Sequence, residues 1–263
     1  MAEKRHRPLG AEGWLLALES ATGAASAALW RAGETRDVER TASGVSIAAA
    51  LLPAIDVLLR RAGVGVEEIS AFAIGIGPGS FTGLRIGVAT LKGLAFGSDA
   101  PVAAVSTLAA LARAAGAGDE PVVALLDARR GEVYGAAFRQ RGELPDASLP
   151  AGVWTPAQLA ARLPARCRLV GEGAPIVGEA LARALGAGVT SLPEVPFGAQ
   201  QVAELGARSL AQGGGLRAEA LVPSYLRRAE AEVRRTGERF EAAAAEGEGV
   251  PQGATFDGPD SVA

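Results

Sequence analysis

Two acidic residues, Glu19 and Asp127, each end an apolar run that is predicted to be a buried strand and is followed by a polar turn. Each carboxylate could bind a magnesium-bound phosphate, with help from Thr22 in the first turn and Arg129 in the second. A carboxylate at the end of a strand more commonly caps its own turn. The residues leave both interpretations open, so Glu19, Thr22, Asp127 and Arg129 are candidate contacts for an anion or nucleotide.

The second feature is a glycine-rich run from Gly75 to Gly87 that follows an apolar strand and predicts a sharp turn and then a helix capped by Ser80. Gly79, Gly83 and Gly87 recur every four residues and therefore stack on one face. Each interior glycine costs about 1 kcal/mol relative to alanine, so this face indicates close approach of a strand of the same sheet or of a partner's helix. The phosphate-loop pattern G-x-x-x-x-G-K-[ST] does not fit, because the spacing is one residue short. Close packing is therefore favoured over phosphate binding.

The amino-acid composition excludes several kinds of functional site. The chain has 263 residues, 49% of them hydrophobic, with mean hydropathy +0.21 and net charge −3, so bulk charge does not attract nucleic acid. The single cysteine, Cys167, excludes an internal disulfide framework, and the only histidine, His6, lies in a polar N-terminal segment. Sites built on histidine are thus excluded from the folded body. No apolar run of transmembrane length or signal-peptide pattern is present, which predicts a cytoplasmic protein.

The elements that must position these residues occur in two similar series. The first is predicted as a hairpin, an edge strand, a helix kinked at Pro53, a strand, the glycine-rich helix, a strand and a helix, at residues 14–30, 36–40, 45–61, 71–74, 80–96, 101–105 and 107–115. The second has strands at 121–127, 133–138, 168–170 and 189–192 and helices at 156–163, 175–185 and 199–212. The recurrence of strand, turn and strand predicts two related lobes.

Several segments resemble the TsaB (YeaZ-like) family of bacterial tRNA threonylcarbamoyladenosine biosynthesis proteins. These segments are residues 18–22 with 27–30, 75–87, 105–108, 126–134 and 223–227, and the resemblance covers residues 14–229. The chain departs from the family at Glu19, where aspartate is usual, and at residues 43–46, where many members have His-Ser. These departures bear little on the resemblance, because the family's role is not catalytic.

The resemblance implies an α/β fold of two ribonuclease-H-like lobes from the actin, heat-shock ATPase and sugar-kinase superfamily, with mixed sheets flanked by helices. Residues 14–106 would form the N-terminal lobe with its partner-binding helices. Residues 107–228 would form the C-terminal lobe, whose last helix or strand can return to the first. Residues 1–13 are expected to be a flexible extension, and 229–263 a mostly disordered tail.

The resemblance also implies a non-catalytic scaffold or activator that binds the paralogous enzyme TsaD, together with the ATPase TsaE. Their reaction is threonylcarbamoyl transfer to the adenosine beside the anticodon of tRNAs reading codons that begin with A. A homodimer is expected when TsaD is absent, and tRNA is reached only through the complex, with no membrane involved. No intrinsic metal or cofactor is implied; ATP or ADP and magnesium enter only in the complex.

In the family, the two helices of the N-terminal lobe dock on TsaD or on a second copy. The resemblance therefore predicts an interface of Leu51, Ile55, Leu58, Gly79, Phe81, Gly83, Leu84, Gly87 and Leu91. Gly87→Arg is accordingly expected to abolish partner binding and leave the fold intact.

Two other classes stay open. An ATP-dependent kinase-like enzyme for small molecules would need intact phosphate turns, and the missing glycine at Ala21 counts against it. A homologue of M22-type glycoproteases would need a metal or a nucleophile-base pair, and the lack of histidine in the folded body counts against that.

Overall fold

The computed structural model describes residues 13–140, 144–192 and 194–227. Two five-stranded mixed sheets flanked by helices confirm the predicted fold class of two ribonuclease-H-like lobes. The predicted terminal extension with His6 and the predicted tail lie outside the described residues, apart from Gly13. The predicted boundary between the lobes at residue 106 stays a prediction.

The first sheet has the strand order β3-β2-β1-β4-β5. Strands β1 to β3 are antiparallel, whereas β4 and β5 run parallel to β1. The five strands are β1 (Trp14–Glu19), β2 (Ser26–Arg31), β3 (Glu34–Arg40), β4 (Ile69–Gly75) and β5 (Val102–Val105). The run Leu15 to Glu19 is fully buried because helices cover both faces of this sheet.

The second sheet repeats this topology with the order β10-β9-β6-β7-β8. Its strands are β6 (Gly118–Asp127), β7 (Val133–Gln140), β8 (Asp146–Trp154), β9 (Cys167–Val170) and β10 (Val189–Ser191). The sequence analysis missed β8, which contains Pro150 and Gly152. Both residues weaken a strand signal, and they are tolerated here because β8 lies at the edge of the sheet.

The helices lie close to their predicted positions, except that α4 is shorter than expected. They are α1 (Ile47–Ala62), α2 (Phe81–Leu94), α3 (Thr107–Ala114), α4 (Pro156–Ala160), α5 (Ala174–Leu185) and α6 (Ala199–Ala211), with 3₁₀ turns at Val66–Glu68 and Ala218–Ala220. No helix in the described ranges has both the length and the apolar character needed to cross a membrane.

Helices cover the first sheet on both faces. Leu16 and Leu18 of β1 pack with α1 and α2 on one face, whereas Leu15 and Ala17 pack on the other face in a core that contains α3, α6 and β6. This second core is continuous between the lobes. The opposite face of the second sheet packs against α4 and α5. The two sheets are therefore held together by apolar packing, and the strand ends that carry Glu19 and Asp127 are fixed relative to each other.

Candidate functional site: the cleft between the lobes

A cleft of about 510 Å³ lies between the turn that follows β1 and the turn that follows β6. Thr22, Asp127 and Arg129 line it, as the sequence analysis expected of a shared site, but Glu19 does not. The first lobe also contributes residues 78–81, and the second contributes Arg130, Tyr134 and Glu172. Residues 224–227 close one side. The contact of Thr22, Asp127 and Arg129 with an anion stays a prediction.

Glu19 is buried beneath the first turn, with 1% of its surface exposed. Its carboxylate accepts a hydrogen bond from the N–H of Ala21 at 2.6 Å and one from Thr107 Oγ1 at 3.3 Å. Burial raises the pKa of Glu19 to about 7, although these hydrogen bonds oppose the shift. The predicted contact of Glu19 with an anion or nucleotide is therefore wrong, because the carboxylate caps its own turn.

Gly83 and Gly87 of α2, together with Gly79 just before the helix, lie directly on the first turn. A Cβ atom on Gly79 would stand 2.4 Å from the carbonyl oxygen of Ala21, and one on Gly83 would stand 2.0 Å from that of Ser20. A Cβ on Gly87 would stand 2.1 Å from Ser20 Oγ, which itself donates a hydrogen bond to the carbonyl oxygen of Gly83 at 2.9 Å. Close packing is confirmed, but the packed backbone belongs to the same chain.

The predicted partner interface is therefore wrong at Gly83 and Gly87, because both are buried under the chain's own turn. Gly79 lies before α2, is half-buried and lines the cleft, so its part in an interface stays a prediction. Gly87→Arg would force a side chain into Ser20, so we now expect it to disrupt the fold. The five predicted leucine and isoleucine positions are wrong for the same reason: each is at most 2% exposed and packs in the core, namely Leu51, Ile55, Leu58, Leu84 and Leu91.

Different apolar residues reach the surface of α1 and α2. Leu52 is 53% exposed and Val57 is 47% exposed, and Ala89 is exposed on α2. The sequence analysis missed these residues because the helical period identifies the larger apolar face only. Val57 had a signal in its phase, because it lies outside the stripe of Leu51 and Ile55, whereas Leu52 borders that stripe and had none.

The second turn is built like the first but is open to the cleft. Asp127 Oδ1 accepts a hydrogen bond from the N–H of Arg129 at 2.6 Å, and Asp127 Oδ2 lies 3.1 Å from Arg129 Nη1. The Asp127 carboxylate thus caps its own turn, as is common for a carboxylate at the end of a strand. Arg129 and Arg130 have φ values of 66° and 59°, a left-handed conformation that is unfavourable for residues other than glycine. The Arg129 side chain is 86% exposed.

Residues 223–227, here called the strap, connect α2 to the second turn. The N–H of Ser224 donates to the carbonyl oxygen of Ile76 at 2.8 Å. The Tyr225 ring packs on Phe81 with 4.7 Å between centroids, and its hydroxyl accepts from Arg85 Nε at 3.1 Å. The strap thereby explains why Phe81, a predicted interface residue, is half-buried within its own chain.

The far end of the strap is held by Arg227. Its Nη1 donates to the carbonyl oxygen of Ala128 at 2.5 Å, and its Nη2 pairs with Glu132. Glu132 therefore ties the second turn to the strap. The sequence marked residues 223–227 as a resembling segment but gave no signal for their position.

The polar groups of the cleft do not favour a nucleotide at the first turn. A phosphate-binding turn needs N–H groups that face the ligand, and the N–H of Ala21 is used by Glu19. Within the described ranges, no group of three or more histidine, cysteine, aspartate or glutamate side chains could hold a metal ion. Cys167 is buried, which raises the pKa of its thiol to about 11.

Comparison with known proteins gives a family match and close structural neighbours. The family model described as "TsaD: tRNA N6-adenosine threonylcarbamoyltransferase" matches residues 46–235. The TsaB proteins of Haemophilus influenzae and Escherichia coli are 45% and 40% identical over 122 and 128 residues, which are 46% and 48% of this chain and 51% and 55% of theirs. The chain thus spans about half the length of the curated relatives it matches.

Two solved structures from Pseudomonas aeruginosa match over their whole length. One, described as YeaZ, has a TM-score of 0.71 and 33% identity, with 81% of this chain covered. The other, described as an uncharacterized protein with similarity to peptidase YEAZ, has a TM-score of 0.73 and 34% identity, with 82% covered.

Proposed function

We infer the function of this chain from its family: it belongs to the tRNA N6-adenosine threonylcarbamoyltransferase family and is a TsaB/YeaZ-like protein. We propose that it acts in tRNA threonylcarbamoyladenosine biosynthesis as a non-catalytic scaffold or activator. In this role it binds TsaD, with TsaE joining the complex, in the cytoplasm. Without TsaD it pairs with a second copy of itself.

The observation that carries the non-catalytic role is the state of the first turn. Glu19 holds the N–H of Ala21, and α2 covers Ser20, so these two residues of the turn serve the fold rather than a ligand. ATP or ADP and magnesium would accordingly enter only with the partner proteins. Contact with tRNA would likewise come through the complex, since the chain's net charge of −3 gives no general attraction to RNA.

The outer face of α1 and α2 is the surface we propose for TsaD. Of the seven large apolar side chains that the described residues expose, four lie on or next to these helices: Val45, Leu52, Val57 and Phe96. Exposed large apolar side chains on and beside two neighbouring helices mark a candidate interaction surface. Ala89 lets a partner helix approach α2 closely. This face replaces the buried residues that the sequence analysis assigned to the interface.

The test is size-exclusion chromatography with light scattering of the full chain, alone and with TsaD from the same organism. A one-to-one complex is expected, and Leu52→Glu should weaken it by about 100-fold because a charge would be buried in the interface. Ile176→Glu is the matched control, because Ile176 is an exposed apolar residue on α5 of the other lobe.

Equal binding by wild type and Leu52→Glu would contradict the proposed surface. A complex that forms but does not support threonylcarbamoylation by TsaD and TsaE would contradict the activator role. Magnesium-dependent ATP turnover, or cleavage of casein, by the purified chain alone would contradict the non-catalytic role and favour the kinase or protease alternative.

A further inference from the structure

A second cavity lies between the edge strands of the two sheets, and Pro78 and Ser224 separate it from the cleft. Its volume is about 160 Å³, and most of its lining is apolar. Strand β5 contributes Ala104 and Val105, β8 contributes Ala151, and the helices α3 and α6 contribute Ala109 and Leu205. An apolar cavity of about 150 Å³ can hold a molecule the size of benzene. This edge cavity is therefore large enough for one aliphatic or aromatic side chain.

The main chain beside the edge cavity has open hydrogen-bonding groups. The N–H and C=O of Val102 pair with Leu216 at 2.9 and 3.0 Å on the outer side of β5, whereas the C=O of Val105 accepts from Ile76 on the inner side. Because directions alternate along a strand, the N–H and C=O of Ala104 point outward like those of Val102. In the part of the chain that the structure describes, no hydrogen bond reaches these groups, and Ala104 is exposed.

The neighbouring segment cannot pair with Ala104, because it has already turned away. Continuing the antiparallel pairing of Val102 with Leu216 would place Gly214 opposite Ala104. The N–H of Gly214 instead donates to the carbonyl oxygen of Ser209 at 2.8 Å and closes the end of α6. One residue of β5 is thus left as an unpaired sheet edge next to an apolar cavity. An edge of this kind accepts an extended chain.

We propose that the edge cavity binds one apolar residue of an extended peptide segment of a partner protein. The main chain of this residue pairs with the N–H and C=O of Ala104. Its side chain stands perpendicular to the added strand and enters the space in front of α3 and α6. An extended peptide supplies main-chain hydrogen bonds to Ala104 and, at a right angle to them, an apolar side chain for the cavity. A purely apolar molecule would leave the N–H and C=O of Ala104 unpaired.

The probe is N-acetyl-leucine-N′-methylamide, which is one capped apolar residue, titrated into the ¹⁵N-labelled full chain and followed by NMR. The amide resonance of Ala104 is expected to shift and saturate. The alanine analogue has the same main chain but a smaller side chain, so it should bind about tenfold more weakly. Ala109→Leu fills the cavity, and Ala104→Pro removes the outward N–H at an edge position that tolerates proline. Each should weaken binding about tenfold.

Ala182→Leu, on the exposed face of α5, is the control and should bind as wild type does. If Ala104→Pro does not fold, Ala109→Leu and the pair of leucine and alanine probes still decide the question. Absence of a saturable shift with the leucine probe, or equal affinity in Ala109→Leu, would overturn the proposed site. Toluene that binds wild type and Ala104→Pro more tightly than the leucine probe would overturn the main-chain pairing, because the cavity would then be a site for small apolar molecules.

Discussion

The turns after β1 and β6 have the same local design in opposite surroundings. The carboxylate at the end of each strand, that of Glu19 in the first turn and that of Asp127 in the second, accepts a hydrogen bond of 2.6 Å from the N–H two residues later. The first turn is covered by α2 at Ser20 and reaches the cleft only with its later residues, whereas the second faces the cleft from Asp127 to Arg130. Repetition of a motif within one chain therefore does not imply that both copies have the same environment or the same role.

The two turns differ in their surroundings because the neighbouring helices, α2 in the first lobe and α5 in the second, pack at different places. Glycines of α2 allow the helix to lie on the first turn itself. In the second lobe, Gly171 and Gly173 bring the start of α5 against Leu125, within β6 and before its turn. The second turn is consequently left open and is held by Arg227 of the strap. One turn is fixed by backbone packing and the other by a side chain.

The largest expected effect comes from Gly83→Ala, which would place a Cβ atom 2.0 Å from the carbonyl oxygen of Ser20. We expect the free energy of unfolding to fall by about 3 kcal/mol, measured by urea denaturation, because backbone must move. Gly93→Ala is the control in the same helix, since nothing lies within 4 Å of its added Cβ. It should stabilise the chain by up to about 1 kcal/mol. Equal effects of the two substitutions would show that α2 does not press on the first turn.

The next effect is a pH dependence that belongs to the first turn. Because burial raises the pKa of Glu19 from 4.5 to about 7, the folded state holds this proton more tightly than the unfolded state. Stability should therefore fall as the pH rises from about 4.5 to 7, by up to about 3 kcal/mol. Glu19→Gln should remove this component from urea midpoints compared at pH 5 and pH 8. An unchanged pH slope in Glu19→Gln would assign the dependence to other groups.

A smaller effect is expected from Arg227→Ala, which removes the side chain that holds the second turn. Its side chain is only 15% exposed, and its guanidinium pairs with Glu132 and the carbonyl oxygen of Ala128. Unfolding should become easier by about 2 kcal/mol. Arg129→Ala is the matched control, because its ion pair with Asp127 is exposed and should contribute less than about 0.5 kcal/mol. If both variants lose the same stability, the strap does not hold this turn.

The smallest effect concerns the left-handed conformation of the second turn. Arg130→Gly should stabilise the chain by about 0.5 kcal/mol in thermal unfolding, because glycine adopts a φ of 59° without strain. Ala32→Gly, at a φ of 52° in the turn between β2 and β3, tests the same relief away from the cleft. A loss of stability in Arg130→Gly alongside a gain in Ala32→Gly would show that contacts of the Arg130 side chain outweigh the strain.

The sequence predicted the two hairpins, the alternation of helices and strands and the close packing of the glycine face, because these depend on spacing within one segment. The sequence could not predict which part of the molecule packs against a given face of a helix. Leu51 and Leu52 are adjacent in the sequence, yet one is 1% and the other 53% exposed. Only the position of the sheet beneath α1 distinguishes them.

The same limit applies to the cleft. Glu19 can be buried because Gly75, on the neighbouring strand, has no Cβ atom where the carboxylate lies; an added Cβ would stand 1.9 Å from Glu19 Oε2. The strap and the edge cavity likewise arise from contacts between residues that are far apart in the sequence. Such contacts leave no local pattern, so the residues that close both sites could not be assigned in advance.

Helix α6 packs on the face of the first sheet opposite α1 and α2, where Gly206 lies so close to Ala73 that an added Cβ would stand 2.4 Å away. The last of the strands that α6 covers ends at Val105 in the sequence, whereas α6 itself ends only at Ala211. During synthesis on the ribosome, one side of that sheet must therefore wait for the second lobe to be made. The N-terminal lobe therefore cannot complete its core before the second lobe has been made.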